Sequence, residues 1–202
     1  MYHHRSADSY AIIGLGVPGL TGNQKELFKA EPLLPNGFKY RSEFIRPDEE
    51  AALLREIEHL PFTEAKYKQY TAKRRIVSYG GTYDYSTNEL LPAGPIPPFL
   101  DDLRQRVSNW LGVPPSEFTH ALIAEYRPGT QLGWHRDVPD FEIVVGISLG
   151  GACRMRLRPY PPKLGRNPDV LAIELEPRSA YTMRGPARWN WQHSIPPTKV
   201  LR

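Results

Sequence analysis

With 202 residues, including 4 Trp, 11 Tyr and 7 Phe, the chain suits one domain with a sizeable core, and 21 Pro and 16 Gly favour many turns and short strands over a helical bundle. A single cysteine, Cys153, excludes an intrachain disulfide and a zinc knuckle and fits a reducing, cytoplasmic setting, while no apolar run approaches the roughly 18 residues of a membrane span. A net charge of +4 and a pI near 9.2 permit a polyanionic partner without establishing one.

Residues 1–40 read as an N-terminal extension, partly irregular, ahead of a single domain over 41–202. His3 and His4 lie in a terminal stretch and read as solvent-exposed rather than as ligands. Strand-like Tyr10–Ile13 runs into Gly14-Leu15-Gly16-Val17-Pro18-Gly19, which fits G-x-G-x-x-G. A dinucleotide site needs a helix to begin there, and Pro18 and Gly22 interrupt that stretch, so a glycine-rich turn is the better reading. Ala11–Leu20 is apolar but holds three Gly and a Pro, which argues against a signal peptide there.

Pro47-Asp48-Glu49-Glu50 starts a helix, with proline in the first turn and acids near the positive end of the dipole. Leu53, Leu54, Ile57 and Leu60 follow helical spacing, and Pro61 stops it. A second helix is expected from about Pro97 to Leu111, with Gly112 suited to its end. Both apolar stripes are expected to pack on a sheet.

Between the helices, Lys66-Tyr67-Lys68-Gln69-Tyr70 and Lys73-Arg74-Arg75 interleave with Tyr79, Tyr83 and Tyr85. Cations beside rings suit a strand of nucleic acid, with charge on phosphates and ring faces on bases; the bland alternative is a solvated basic loop with core tyrosines. From Phe118 onward the pattern is β. Cys153, Met155 and Leu157 alternate strictly with Arg154, Arg156 and Arg158, and those arginines face either water or phosphates. Cys153 reads as a small buried hydrophobe. Many short strands joined by Pro/Gly turns argue for two stacked sheets.

Trp134-His135-Arg136-Asp137 places a histidine and a carboxylate two positions apart, so that in extended structure both point the same way. A second histidine, His193, lies in Trp189-Asn190-Trp191-Gln192-His193-Ser194, and Arg202 follows it. Two imidazoles and one carboxylate on one face of a metal form the facial triad of non-haem Fe(II) oxygenases, which leaves coordination positions open.

Over roughly residues 70–202 the chain resembles the iron- and 2-oxoglutarate-dependent dioxygenases, and within them the AlkB-like family. The resemblance rests on Arg75 and Tyr79-Gly80, on Tyr126-Arg127-Pro128-Gly129, on Trp134-His135-Arg136-Asp137 and on Ile147-Ser148-Leu149-Gly150. It continues in Gly185-Pro186-Ala187-Arg188 before His193, and in Leu201-Arg202. It implies an α+β, mostly β fold: a double-stranded β-helix, or jelly roll, with two supporting N-terminal helices. The metal core would span about 118–202 and a substrate lid about 62–90 of a single dioxygenase domain.

By the same resemblance His135, Asp137 and His193 ligate Fe(II), Arg202 takes the far carboxylate of 2-oxoglutarate, and the Tyr126 hydroxyl helps to hold it. Arg75, Tyr79, Tyr83 and Tyr85 are the substrate candidates. Two features depart from the family pattern. Many members carry Asn where this chain has Ala124, and the family strand runs on to a second arginine beyond Arg202, so the chain is expected to be truncated there or to have an incomplete strand.

The reaction implied is oxidative demethylation of an N-alkylated nucleobase in DNA or RNA. O₂ oxidises 2-oxoglutarate to succinate and CO₂, an N-methyl group is hydroxylated, and the hemiaminal collapses to formaldehyde. A duplex base would be flipped out, or single strands preferred. A monomer without membrane attachment is expected. The alternatives are the same chemistry on a protein or small molecule, a non-catalytic nucleic-acid-binding module, and a zinc hydrolase using the same three side chains. Trp134 and Trp189 are read as packing residues ahead of pocket walls, and Arg188 has no assigned role.

Overall fold

In the computed structural model of the chain, residues 9–13, 34–67, 70–162 and 170–197 are described. The glycine-rich turn expected at Gly14–Gly19, the pair His3 and His4, and Arg202 lie outside them.

The large sheet is built from seven strands. They are β1 (Ser9–Ile13), β2 (Phe38–Arg41), β3 (Thr63–Tyr67), β4 (Tyr70–Tyr79), β7 (Ala121–Tyr126), β9 (Val144–Leu149) and β12 (Ala180–Met183), in the spatial order β2-β12-β9-β1-β7-β4-β3. A four-stranded sheet has the order β11-β10-β13-β8, from β8 (Leu132–His135), β10 (Cys153–Pro159), β11 (Leu171–Leu175) and β13 (Trp191–Ile195). A separate hairpin joins β5 (Gly81–Asp84) to β6 (Glu89–Pro92). Its turn is set by Asp84, whose carboxylate accepts the Ser86 backbone N–H at 2.7 Å.

The helices cover one face of the large sheet. Helix α1 (Pro47–Ile57) opens with proline and three acids, and the Glu49 carboxylate accepts the Arg46 backbone N–H at 2.7 Å. A 3₁₀ turn at Pro98–Leu100 leads into α2 (Asp101–Leu111), which Gly112 ends with φ +68°, a conformation that costs a glycine nothing. Leu53 and Ile57 of α1 and Leu103 and Val107 of α2 share one core cluster with Ile123, Val145, Ile147 and Leu149 of the sheet.

The other face of the large sheet stacks on the small one. A second cluster takes Phe38, Val144, Tyr181 and Met183 from the large sheet and Met155, Leu157 and Leu175 from the small sheet. All six residues of β9 are consequently buried, because both of its faces are covered. At Gly146, in register with Tyr181, a Cβ would meet the Tyr181 ring at 2.2 Å, so the ring lies flat against bare backbone.

Strand β1 pairs antiparallel with both β7 and β9, with Ala11 opposite Ala124 and Ser148. Part of the stretch read as an extension is therefore a central strand. The one-turn helix α3 (Pro186–Trp189), which follows Gly185 at φ +50°, leads directly into β13.

Candidate metal centre

Pairing of β13 with β8 brings the two histidines together across 58 residues of chain: His193 sits in register with His135, and their ring centroids are 4.1 Å apart. His193 is also in register with buried Leu157 of β10, so both imidazoles lie on the face of the small sheet that looks at the large one. Asp137 follows two residues after His135 and turns the same way. Its Oδ1 is 3.8 Å from Nε2 of both histidines, and one ligand atom from each of the three residues lies within 4.8 Å of the others.

The donors are in the form a metal requires. His135 Nδ1–H donates to the Gly133 carbonyl at 2.8 Å, which leaves the Nε2 lone pair free. Burial, with the neighbouring imidazole of His135, lowers the pKa of His193 to about 3, so its ring is neutral. Burial pushes the Asp137 carboxyl up, but the neighbouring imidazoles of His193 and His135 and the guanidiniums of Arg188 and Arg74 outweigh it and hold the group below the usual carboxylate range. His193 Nε2 and Asp137 Oδ2 are buried without a hydrogen-bond partner among the described residues. Buried acceptor atoms without donors are costly unless a cation sits beside them, and the donor set fits Fe(II) with positions to spare.

The backbone that carries Asp137 is clamped by a residue to which sequence reasoning gave no role. Arg188, 2% exposed, donates to the carbonyls of Phe141 at 3.0 Å, Asp137 at 3.3 Å and Val138, and its guanidinium stacks over Trp189 at 4.4 Å. Trp189 Nε1–H in turn donates to the Glu142 carboxylate at 3.0 Å. Helix α3 thus holds the loop after the His-x-Asp pair at both ends.

The other expected site residues divide by strand parity. Tyr126 ends β7 on the inward face; its hydroxyl accepts a 3.4 Å hydrogen bond from Arg74, and burial raises its pKa. Arg75 and Tyr79 lie on the opposite face of β4. Arg75 forks onto Glu125 at 2.9 and 2.5 Å, Arg127 shares that carboxylate, and Tyr79 packs against the helix-side core. Tyr83 and Tyr85 form an edge-on ring pair, centroids 4.9 Å apart, and the charge of Arg74 is felt at Tyr85. Trp134 faces outward, under Arg156 at 5.0 Å and Arg158 at 4.4 Å, while Arg136 lies 4.0 Å over Tyr160. Ala124, where many AlkB-like proteins carry Asn, is fully buried opposite Ile76 of β4.

Two histidines and a carboxylate gathered on the inner wall of stacked sheets match the donor set of the non-haem oxygenases. Residues 39–200 match the model of the 2OG-Fe(II) oxygenase superfamily, and the chain belongs to that family: it is a dioxygenase. Its AlkB-like character agrees with its relatives. The chain is 29% identical over 175 residues to the tRNA (carboxymethyluridine(34)-5-O)-methyltransferase alkbh8 of Xenopus tropicalis, covering 83% of this chain and 26% of that protein. It is 28% identical to the alkylated DNA repair protein ALKBH8 homolog of Arabidopsis thaliana, covering 78% of this chain and 51% of that one. It is also 28% identical to the uncharacterized protein L905 of Acanthamoeba polyphaga mimivirus, covering 81% and 75%. The chain therefore spans about a quarter and about half of the two ALKBH8 relatives. The structure of OsALKBH1 superposes with a TM-score of 0.57 at 16% identity, covering 82% of this chain and 87% of that one, which is a likeness of fold. No helix among the described residues is long and apolar enough to cross a membrane.

Proposed function

We propose that the chain is an Fe(II)- and 2-oxoglutarate-dependent oxidative demethylase of N-alkylated nucleobases in DNA or RNA, acting as a cytoplasmic monomer. The observation that carries the reading is the convergence of His135, Asp137 and His193 with two buried donor atoms left without partners. The names of the ALKBH8 relatives, which refer to tRNA and to alkylated DNA, support a nucleic-acid substrate. In this reading the two stacked sheets are the double-stranded β-helix, residues 41–202 are one domain, and residues 62–90 carry the substrate lid.

His135, Asp137 and His193 would hold the iron, with Tyr126 and Arg202 on 2-oxoglutarate. When bound, Fe(II) and 2-oxoglutarate supply O₂ activation, with the cosubstrate oxidised to succinate and CO₂. The chain's own contribution is positional. The Gly133 carbonyl fixes the tautomer of His135, Arg188 fixes the backbone at Asp137, and the stacked sheets exclude water from the inner wall. Tyr83 and Tyr85 offer ring faces to an unstacked base, while Arg75 is engaged by Glu125.

The test is formaldehyde release from N-methylated oligonucleotides and from methylated peptides, with Fe(II), 2-oxoglutarate and O₂. Turnover confined to oligonucleotides is expected. Turnover of peptides alone would reject the nucleobase substrate and leave the oxygenase intact.

A further inference from the structure

Alternation along β10 sends Met155 and Leu157 into the core and leaves Arg154, Arg156 and Arg158 on the outer face of the small sheet. His193 is in register with both Leu157 and His135, so the outward residues of β10, β13 and β8 lie side by side. Arg156 and Arg158 reach across Ser194 and Gln192 of β13 to the Trp134 ring of β8. Arg136, two residues after Trp134, and Tyr160, two after Arg158, extend the same patch. Arg154 stands apart from it, opposite Glu174 of β11.

The guanidiniums of Arg156, Arg158 and Arg136 are oriented but not neutralised. Arg156 Nε–H donates to the Ser194 hydroxyl at 3.1 Å, Arg158 forks onto the Gln192 side-chain carbonyl at 2.9 and 2.7 Å, and Arg136 donates to the Trp189 carbonyl at 3.1 Å. Every one of these acceptors is neutral. No carboxylate among the described residues forms an ion pair with any of the three. Both terminal nitrogens of Arg156 and one of Arg158 have no acceptor among the described residues. Positions i and i+2 of a strand are roughly 7 Å apart, so like charges are held side by side. Cations pinned in this way are prepared for a chain of anions: their forks match phosphate oxygens, and release of condensed counterions drives the contact.

Resting on the nucleobase reading of the metal centre and narrowing it, we propose that this face is a phosphate track for single-stranded polynucleotide. The substrate is then a base within a strand rather than a free nucleoside or nucleotide. Trp134 on the outer face and His135 at the metal triangle are consecutive residues of β8, which among the described residues is an edge strand. A strand lying along the arginines therefore reaches the metal side by rounding one edge. The phosphates it leaves on the track belong to nucleotides that flank the one presented. A polynucleotide carries one negative charge at every nucleotide, which an ordinary acidic peptide does not match residue for residue. The Trp134 ring lies beneath two guanidiniums, so it orients cations instead of stacking bases, and the track reads backbone without regard to sequence.

The experiment reads fluorescence anisotropy of labelled, unmethylated single strands of about 4 and about 16 nucleotides, with the whole chain at low salt and no added metal. Wild type is expected to bind the long strand at least roughly 10-fold more tightly than the short one, with thymine and adenine strands alike. R156Q/R158Q keeps polar stems over Trp134 and loses only charge. It should weaken the long strand roughly 10-fold and bring it near the short one. R55Q removes an exposed cation from helix α1, on the far side of the large sheet, and should bind as wild type. A long strand bound as tightly by R156Q/R158Q as by wild type overturns the track. So does tighter binding of a glutamate peptide of equal charge, which would make the face a protein-docking surface. Circular dichroism melting tests the fold of the double variant. Should it be unfolded, R136Q, at an exposed position, decides: a loss of roughly 3-fold supports the track and wild-type affinity overturns it. Because anisotropy needs no turnover, failure of the demethylase reading shows separately, as absence of formaldehyde from methylated strands that wild type binds.

Discussion

Arg188 and Arg75 show how far a single residue's role depends on what the fold brings to it. Both are arginines in stretches that carry the family resemblance, yet Arg188 is engaged on backbone carbonyls, that of Asp137 among them, and Arg75 on the Glu125 carboxylate. Arg188 is spent on backbone carbonyls that lie 47 to 51 residues away, which no local pattern reveals. The convergence of His135, Asp137 and His193 was legible because imidazole, carboxylate and imidazole form a known set whose members need only meet. Arg74 and Arg75 were not separable, since choosing between neighbours requires the register of β4 on β7. The role of Arg188 leads to a prediction. R188A leaves buried carbonyls without donors and frees the loop at Asp137. It should destabilise the chain by about 3 kcal/mol and weaken Fe(II) roughly 10- to 100-fold, by chemical unfolding and metal-competition titration. R188K, with a single head group for several acceptors, should recover stability only in part. Metal affinity equal to wild type in R188A would show that the loop is held without it.

Strict alternation made β10 readable as a strand and left open whether its arginines meet water or phosphate. The structure puts Arg156 and Arg158 over Trp134 on the outer face of the small sheet, while Met155 and Leu157 fill the core between the sheets. Arg136 and Tyr160 lie beside them. The helices, too, were legible from their stripes and caps. Strand β1 was legible as a strand but not in its place, because its partners β7 and β9 are more than a hundred residues away, and pairing of that range leaves no mark on the local pattern. On the proposed function, the outer face of β10 is a track for the phosphate backbone. Binding of a methylated single-stranded oligonucleotide should weaken steeply with salt, and each of R156A and R158A should reduce the logarithmic salt slope by about 1. Variants with unchanged slopes would place the backbone elsewhere and leave this face as a solvated one.

At the scale of the molecule, the candidate triangle joins an inner strand of the small sheet, β13, to its edge strand, β8, and to the loop that follows it. His193 reaches the site from near the end of the described residues, and His135 from β8, which among the described residues is an edge strand of the small sheet beside β13. An ion gripped by both would cross-link β8 to β13 and fix the Asp137 loop, while the unfolded chain presents no such site. Stability should therefore follow metal concentration by mass action. At 100 times its dissociation constant, a divalent ion such as Zn(II) or anaerobic Fe(II) should add about 2.7 kcal/mol and raise Tm by roughly 5 to 10 °C. H193A removes one ligand and the orphaned buried nitrogen together, so its apo form should lie near wild type while its metal-induced shift vanishes. A stabilisation that persists undiminished in both H193A and H135A, measured by thermal unfolding across a metal titration, would mean that the ion binds elsewhere and that the three side chains converge for another reason.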